Sequence, residues 1–282
     1  VRDDFYMEKY AGLACGIKNS GIGNGMIDFS EIKIEIISEK KVRLCHGWTE
    51  MGQGVDTVAI QVLSTETGID PEVIEVRVKT EDGAIAGMTT SSRGTVLIGN
   101  GIIEACRELK KDLMKNSLAQ LKGKTYSGRW SFENSTKPGA GGEVITHYSY
   151  SYATQLVSLD DRGNIKKVIA AHDGGKIINP ALFEGQVEGA VLMGLGYAVS
   201  EELKVENGYP VSTKLKDLGL PRIGDLPEII VRGIEVEDPI GPYGAKGIGE
   251  IGLVPTAAAI ANAFCTFNGK RQKKLPLIKI NK

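Results

Sequence analysis

Glu250 ends the run Gly241-Pro-Tyr-Gly-Ala-Lys-Gly-Ile-Gly-Glu250, with glycines at 244, 247 and 249 before it and Ile251, Leu253 and Val254 after it. A carboxylate held between bare backbone and apolar neighbours loses water, its pKa rises, and it becomes a candidate general base near neutral pH. The same glutamate at a helix start would simply be stabilised by the helix dipole. Three further segments place glycines and small polar residues ahead of a helix: Glu50-Met-Gly-Gln-Gly54, Thr89-Thr-Ser-Ser-Arg-Gly94 and His172-Asp-Gly-Gly-Lys176. Unpaired N–H groups at a helix N-terminus attract anions and polar rings, and glycine lets such a ligand approach the backbone. Gln53, bracketed by two glycines, and Gln186 can each donate to and accept from a heterocycle edge, or simply be solvated.

Other chemistries lack their residues. The run Gly241 to Gly249 contains no Gly-Lys followed by a hydroxyl, so the phosphate-loop pattern fails there. Gly21-Ile-Gly-Asn-Gly25 precedes a strand and Gly194-Leu-Gly196 lies inside a helix, so neither has the setting of a dinucleotide fingerprint. His46, His147 and His172 have no partner at metal-ligand spacing, and Cys15, Cys45, Cys106 and Cys265 are far apart, so no metal ligands are assigned. Ser91 and Ser92 have no neighbouring His or Asp to make a nucleophile.

The elements that must carry these loops follow from periodicity. Ile32 to Ile36 and Val42 to Cys45 alternate as a hairpin, while Val55, Val58, Ala59, Val62 and Leu63 form a helical stripe ended by Gly68. Val73 to Lys79 reads as a strand, the stretch 80–94 as a loop, and Ile102, Ile103, Cys106, Leu109 and Leu113 mark a long helix. The polar, glycine-rich stretch 122–142 reads as a loop or linker. Strands over 144–158 and 165–171 turn at Asp160-Asp-Arg-Gly-Asn164. A helix runs from Asn179-Pro180 to about Val199, Asn207-Gly208 makes a turn, 228–236 is a strand and 254–267 a small-residue helix. The fold class is α+β, with mixed sheets and hairpins and packed helices. Residues 1–122 are expected to form a first subdomain and 143–282 a second, with 123–142 between them.

The 282 residues can bury a core without staples. A net charge of -1, from 34 Lys+Arg against 35 Asp+Glu, speaks against nucleic acid or a membrane surface as partner. No run of 18 or more uninterrupted apolar residues occurs, and the unpaired cysteine spacing suits a reducing, cytoplasmic setting. Glycine is abundant at 36 residues, nearly twice its ordinary share of roughly 7%.

Taken in order, Glu50-Met-Gly-Gln-Gly54, Ser91-Ser-Arg-Gly94, Ala170-Ala-His-Asp-Gly-Gly175, Ile178-Asn-Pro180, Gly185-Gln-Val-Glu-Gly-Ala190, Gly194-Leu-Gly196, Glu201-Glu-Leu203 and the Gly241 to Glu250 run resemble the molybdenum-cofactor-binding subunit of the xanthine dehydrogenase and aldehyde oxidase family. The likeness runs from about Gly12 to Leu277. It implies a molybdenum-cofactor-binding fold that holds molybdopterin, possibly in its dinucleotide form. It also implies a molybdenum hydroxylase that inserts water-derived oxygen into a C–H bond of a purine, another N-heterocycle or an aldehyde. Matched cofactor positions are Gly52, Gln53 and Gly54, then Ser91, Ser92, Arg93 and Gly94, then Gln186, and finally Lys246, Gly247 and Gly249. Glu250 matches the catalytic glutamate, a base toward the metal-activated hydroxide.

The resemblance is to the C-terminal part of that subunit, and the chain begins at Val1 rather than Met. A preceding half is therefore expected as a partner, with iron–sulfur and flavin carriers on other domains or chains, and the isolated piece is expected to be inactive. Where purine members carry an aromatic residue in the substrate funnel, the stretch 20–25 has glycine and asparagine. The competing reading is a domain that binds molybdopterin, or serves as a scaffold, without chemistry.

Overall fold

The alternation of Ile32, Ile34 and Ile36 puts three side chains on one face of a strand, and all three are fully buried. That strand belongs to the first of two four-stranded sheets in the computed structural model, which describes residues 1–79 and 84–277. In chain order the elements are α1 (Arg2–Met7), β1 (Ala11–Ser20), β2 (Asp28–Ser38), β3 (Lys41–His46), α2 (Val55–Thr67), β4 (Ile74–Val78), α3 (Gly94–Leu113) and β5 (Thr125–Phe132). Then come β6 (Ser149–Leu159), β7 (Ile165–Asp173), α4 (Pro180–Val199), the short pair β8 (Val205–Glu206) and β9 (Tyr209–Pro210), β10 (Glu228–Ile234) and α5 (Thr256–Asn268).

One plan is used twice. In the first unit β2 and β3 form an antiparallel hairpin, α2 carries the chain to β4 parallel to β3, and after α3 the strand β5 pairs with the free edge of β2. In the second, β6 and β7 form the hairpin and α4 leads across to β10 parallel to β7. The free edge of β6 is taken by β1, which precedes the entire first unit. Helices α2 and α3 cover the first sheet and α4 and α5 the second.

Local signals explain the boundaries. Gly68 adopts φ 71° and ends α2 in the left-handed conformation that glycine tolerates. The Asn179 side chain accepts the Leu182 N–H at 3.0 Å, capping α4, with Pro180 at the first helical position. Each unit then buries an aliphatic core, Ile34, Leu44, Val62, Leu97 and Ile102 in the first and Val157, Val168, Val191 and Ile260 in the second. Each such side chain contributes about 1.5–3 kcal/mol on burial. The stretch Ile251–Asn268 is apolar and long enough by composition to cross a membrane, but within this fold α5 lies on β1 and β6 as a core helix.

The stretch 123–142, expected as a loop, contains β5. Its inward positions are Tyr126 and Gly128, so the alternation is present but one of its members has no side chain. The expected strand over 144–158 begins only at Ser149, and the first four positions of the expected loop 80–94 lie outside the described residues.

Gly128 is small because a helix lies directly on it. A Cβ there would stand 2.3 Å from both the Ala105 nitrogen and the Gly101 carbonyl oxygen of α3. Gly12 meets α5 in the same way, 2.1 Å from the Ala263 nitrogen and 2.2 Å from the Ala259 oxygen. The fourth strand of each unit thus receives its helix backbone to backbone. Because the obstacle is main chain rather than a movable side chain, Gly128→Val should cost about 3 kcal/mol or more. Thermal unfolding of the polypeptide containing this chain should show a drop of several degrees in Gly128→Val, and an unchanged midpoint would contradict this packing.

Candidate functional site

Three of the four loops singled out by their glycines converge on one cavity of about 330 Å³ between the two units, at the lower end of small-molecule sites, which run roughly 300–1,000 Å³; the fourth, 172–176, reaches only the space beside it. Its walls are Gln53 ahead of α2, residues 89–95 entering α3, Gln186 on α4, and Gly247, Ile248, Gly249 and Glu250. A second space of about 70 Å³, lined by Gln53, Gln186, Gly174 and Lys246 among others, adjoins it. Of the residues expected to contact cofactor, Gly52 and Gly54 line neither space and Lys246 only the smaller one.

The two helix N-termini that meet here differ. That of α2 is already satisfied: the Glu50 carboxylate accepts N–H groups from Gly52 at 2.8 Å, Gly54 at 3.0 Å and Asp56 at 3.2 Å. Burial pushes the Glu50 carboxyl up, and these backbone donors outweigh it, holding the group below its usual range. The expectation that this helix end is open to a ligand is therefore corrected, and the residue that closes it stood inside the motif. Gln53 lines both spaces but bonds its own loop, its amide donating to the Thr49 carbonyl and accepting the Met51 N–H, both at 2.7 Å. By contrast α3 has no side-chain cap, and its first residues, Gly94 and Thr95, line the cavity.

Arg93 does not present its charge to the cavity. The side chain is 2% exposed; Nε donates to Asp28 Oδ1 at 2.8 Å, Nη2 to the Ala86 carbonyl at 2.8 Å and Nη1 to the Met88 carbonyl. The guanidinium also lies over the Trp48 ring. Lys246 is committed in the same manner, its Nζ 2.6 Å from Asp173 Oδ2. Both loops contribute backbone and small groups to the cavity and keep these two cations inside the protein.

The two units are joined where Gly247 meets Ser92. A Cβ on Gly247 would stand 1.5 Å from the Ser92 carbonyl oxygen, so only glycine fits. The Gly247 carbonyl accepts the hydroxyls of Ser20 at 3.3 Å and Ser151 at 3.2 Å, and Gly21 N–H donates to the Ser91 carbonyl at 3.0 Å. Ser91 and Ser92 hold φ of 55° and 49°, left-handed conformations unusual outside glycine. The stretch 20–25 packs against Thr146, His147 and Tyr148.

Glu250 is not buried as its apolar sequence neighbours suggested. Its side chain is 45% exposed within this chain, and Oε2 lies 3.2 Å from Lys18 Nζ and accepts the Ser92 hydroxyl at 2.7 Å. Lys18, from β1, carried no sequence signal. The turn after Glu250 is held from beneath by a buried polar group: Gln155 Nε2 donates to the Gly252 carbonyl at 2.6 Å and Oε1 accepts the Thr256 hydroxyl at 2.7 Å. Gln155 Nε2 also faces His172 Nε2 at 3.1 Å. That ring nitrogen must therefore be the unprotonated acceptor.

The site suits a pterin-type ligand. Gln186 has no hydrogen-bond partner among the described residues and lines both spaces. A Cβ on Gly249 would meet nothing closer than the Ser92 hydroxyl at 3.7 Å, so internal packing does not require glycine there and the wall stays open to a ligand. Backbone N–H groups at an uncapped helix start and a free amide are the donors and acceptors that a polar heterocycle with a phosphate needs. Among the described residues no group of three His, Cys, Asp or Glu could hold a metal ion by itself.

The model of the molybdopterin cofactor-binding domain matches residues 5–124 and 114–227. The chain belongs to this family. It is 27% identical to one subunit of a probable xanthine dehydrogenase from Bacillus subtilis, over 96% of this chain and 41% of that protein. It is 28% identical to the gamma subunit of the 6-hydroxypseudooxynicotine dehydrogenase complex of Paenarthrobacter nicotinovorans, over 94% of this chain and 38% of that protein. The aldehyde oxidoreductase of Desulfovibrio gigas superposes with a TM-score of 0.82 at 26% identity, covering 94% of this chain and 31% of that one. This molybdopterin-binding domain thus spans about two fifths of the length of the curated relatives it matches. Both the α+β architecture and the molybdopterin cofactor expected from the motifs agree with these matches.

Two measurements check the scaffold of the site. Arg93→Met leaves Asp28 buried without its partner and should cost about 3–5 kcal/mol in denaturant unfolding; a neutral result would release the guanidinium for a ligand role. Burial pushes His172 down from 6.5 to about 4, and protonation would set a donor on Nε2 against the Gln155 amide donor. The neutral ring contributes stability that is present in full above pH 6.5 and lost as pH falls toward 4, by about 1.4 kcal/mol per pH unit. The unfolding midpoint of the wild type should therefore fall more steeply over that range than that of His172→Gln, and parallel curves would refute it.

Proposed function

We propose that this chain forms one wall of the active site of a molybdopterin-dependent hydroxylase, with Glu250 as its general base. The observation that carries the reading is the convergence of the Glu250 carboxylate, the unpartnered Gln186 amide, the uncapped start of α3 and the open Gly249 backbone on a single cavity. When bound, the molybdenum cofactor supplies oxygen transfer to a C–H bond and accepts the electron pair released. The chain's residues do the rest. Gln186 and the backbone at Gly94, Thr95 and Gly249 bind and orient the pterin, and Glu250 takes the proton that the attacking nucleophile gives up.

The substrate class is an aldehyde or an N-heterocycle such as a purine, as the names of the relatives suggest. The missing wall comes from a preceding half of the same subunit. Electrons leave through iron–sulfur and flavin partners, in keeping with a relative that is part of a dehydrogenase complex. The 282 residues alone have no turnover, because the cavity has walls from this part only.

The test uses the natively purified polypeptide that contains this chain. Elemental analysis should find near one molybdenum per chain, and Glu250→Gln should keep the metal while turnover falls by roughly 100-fold or more. Absence of metal, from cells that make active molybdoenzymes, would refute the cofactor reading. An unchanged rate in Glu250→Gln would refute the base.

A further inference from the structure

Every bond that the Glu250 carboxylate makes within the described residues ends on the same oxygen. Lys18 Nζ lies 3.2 Å from Oε2 and the Ser92 hydroxyl donates to Oε2 at 2.7 Å, while Oε1 takes no partner. The two partners come from opposite units, Lys18 from β1 of the second sheet and Ser92 from the loop that enters α3 on the first. Both are themselves held. Lys18 Nζ also donates to the Asn19 carbonyl at 2.8 Å, with its side chain 23% exposed, and Ser92 is fixed by the contact of its carbonyl with Gly247.

We propose that Lys18 and Ser92 act as a positioning clamp on Glu250, immobilising Oε2 and leaving Oε1 as the oxygen that takes up the proton. The inference rests on the reading of Glu250 as the base. It assigns Ser92, expected from its motif to contact cofactor, a bond to the glutamate instead, and it adds Lys18, which no motif singled out. The step is a proton transfer alone: Oε1 gains the proton, the nucleophile loses it, and the carboxyl remains attached to Ser92 through Oε2.

The charge on Lys18 has a definite task. Closing the cavity with substrate and the remaining wall strips water from Glu250, which by itself would drive the carboxylate toward its neutral, inactive form. A cation at 3.2 Å opposes that change by its Coulomb attraction for the carboxylate. The other charges nearby do not replace it. Arg93 is turned to Asp28, Lys246 to Asp173, and Glu50 is held by the start of α2. His147, which faces Lys18, is pushed toward its neutral form by burial and by Lys18 itself.

The proposal is tested on the polypeptide that contains this chain by titrating the Glu250 carboxyl directly. Its protonation is read as the infrared difference between a protein and its Glu250→Gln counterpart across pH. In Lys18→Met the Glu250 midpoint should rise by about one pH unit or more, and Lys18→Arg should restore it. With xanthine or benzaldehyde as substrate and ferricyanide as acceptor, the acid limb of the pH profile should move by the same amount. A Glu250 midpoint that stays in place in Lys18→Met would overturn the clamp, whatever happens to the rate. Lys18→Gln is read in the same way should the methionine variant fail to fold. Failure of the base reading looks different, because there Glu250→Gln itself keeps turnover.

Discussion

The site exists because the carbonyl of Ser92 lies against Gly247. That contact joins two units with separate sheets, alongside others such as Asn179 to Gln61, Tyr243 to Glu66 and the packing of Leu182 on the first core, and it does so at the spot where a single added carbon would force them apart. The hydroxyls of Ser20 and Ser151 fix the Gly247 carbonyl from the second sheet, and the backbone of Gly21 fixes the loop at Ser91. Left-handed backbone at two consecutive serines is tolerated because both sides hold it. The cavity, the reach of Ser92 to Glu250 and the approach of Lys18 all follow from this seam.

The charged residues of the two loops have parallel uses. Arg93 pairs with Asp28 inside the first unit and Lys246 with Asp173 inside the second, all four almost wholly buried. Buried pairs of this kind contribute little net stability but tolerate no loss of one partner, so they act as braces that keep each loop in its one shape. The cavity is left with the Gln53 and Gln186 amides, hydroxyls, bare backbone and the apolar side chains of Met51, Val55, Val58 and Ile248, together with the Glu250 carboxylate.

Much of this architecture is legible in the sequence because its signals are local. The alternation of Ile32 to Ile36, the stripe from Val55 to Leu63 with its stop at Gly68, and the Asn179-Pro180 helix start each depend on a few adjacent residues. The strand β5 is hard to see because its inward Gly128 is set by α3, and glycine in a polar stretch reads as a turn. The motifs correctly single out most of the cavity wall, since glycines and small polar residues before helices are unusual in number. What each side chain does is a different matter. Whether Arg93 faces a ligand or Asp28, and whether Glu250 is dry or paired with Lys18, is decided by residues distant in sequence that no periodicity reveals.

The borrowed strand of the second sheet has a consequence for how the chain comes together. β1 is made early, yet its partners are β6, with Ala11 opposite Ser158 and Ser20 opposite Ser149, and α5 near the far end. The whole first unit, from β2 to β5, lies in the loop that this pairing must close. Collapse of that unit shortens the effective loop and lowers the entropy lost on closure. The first unit is built from one continuous segment, whereas the second is complete only when residues from both sides of it meet. Lys18 on β1 and Ser92 just ahead of α3 both reach Glu250, so the bonds to its carboxylate tie together three segments that lie far apart along the chain.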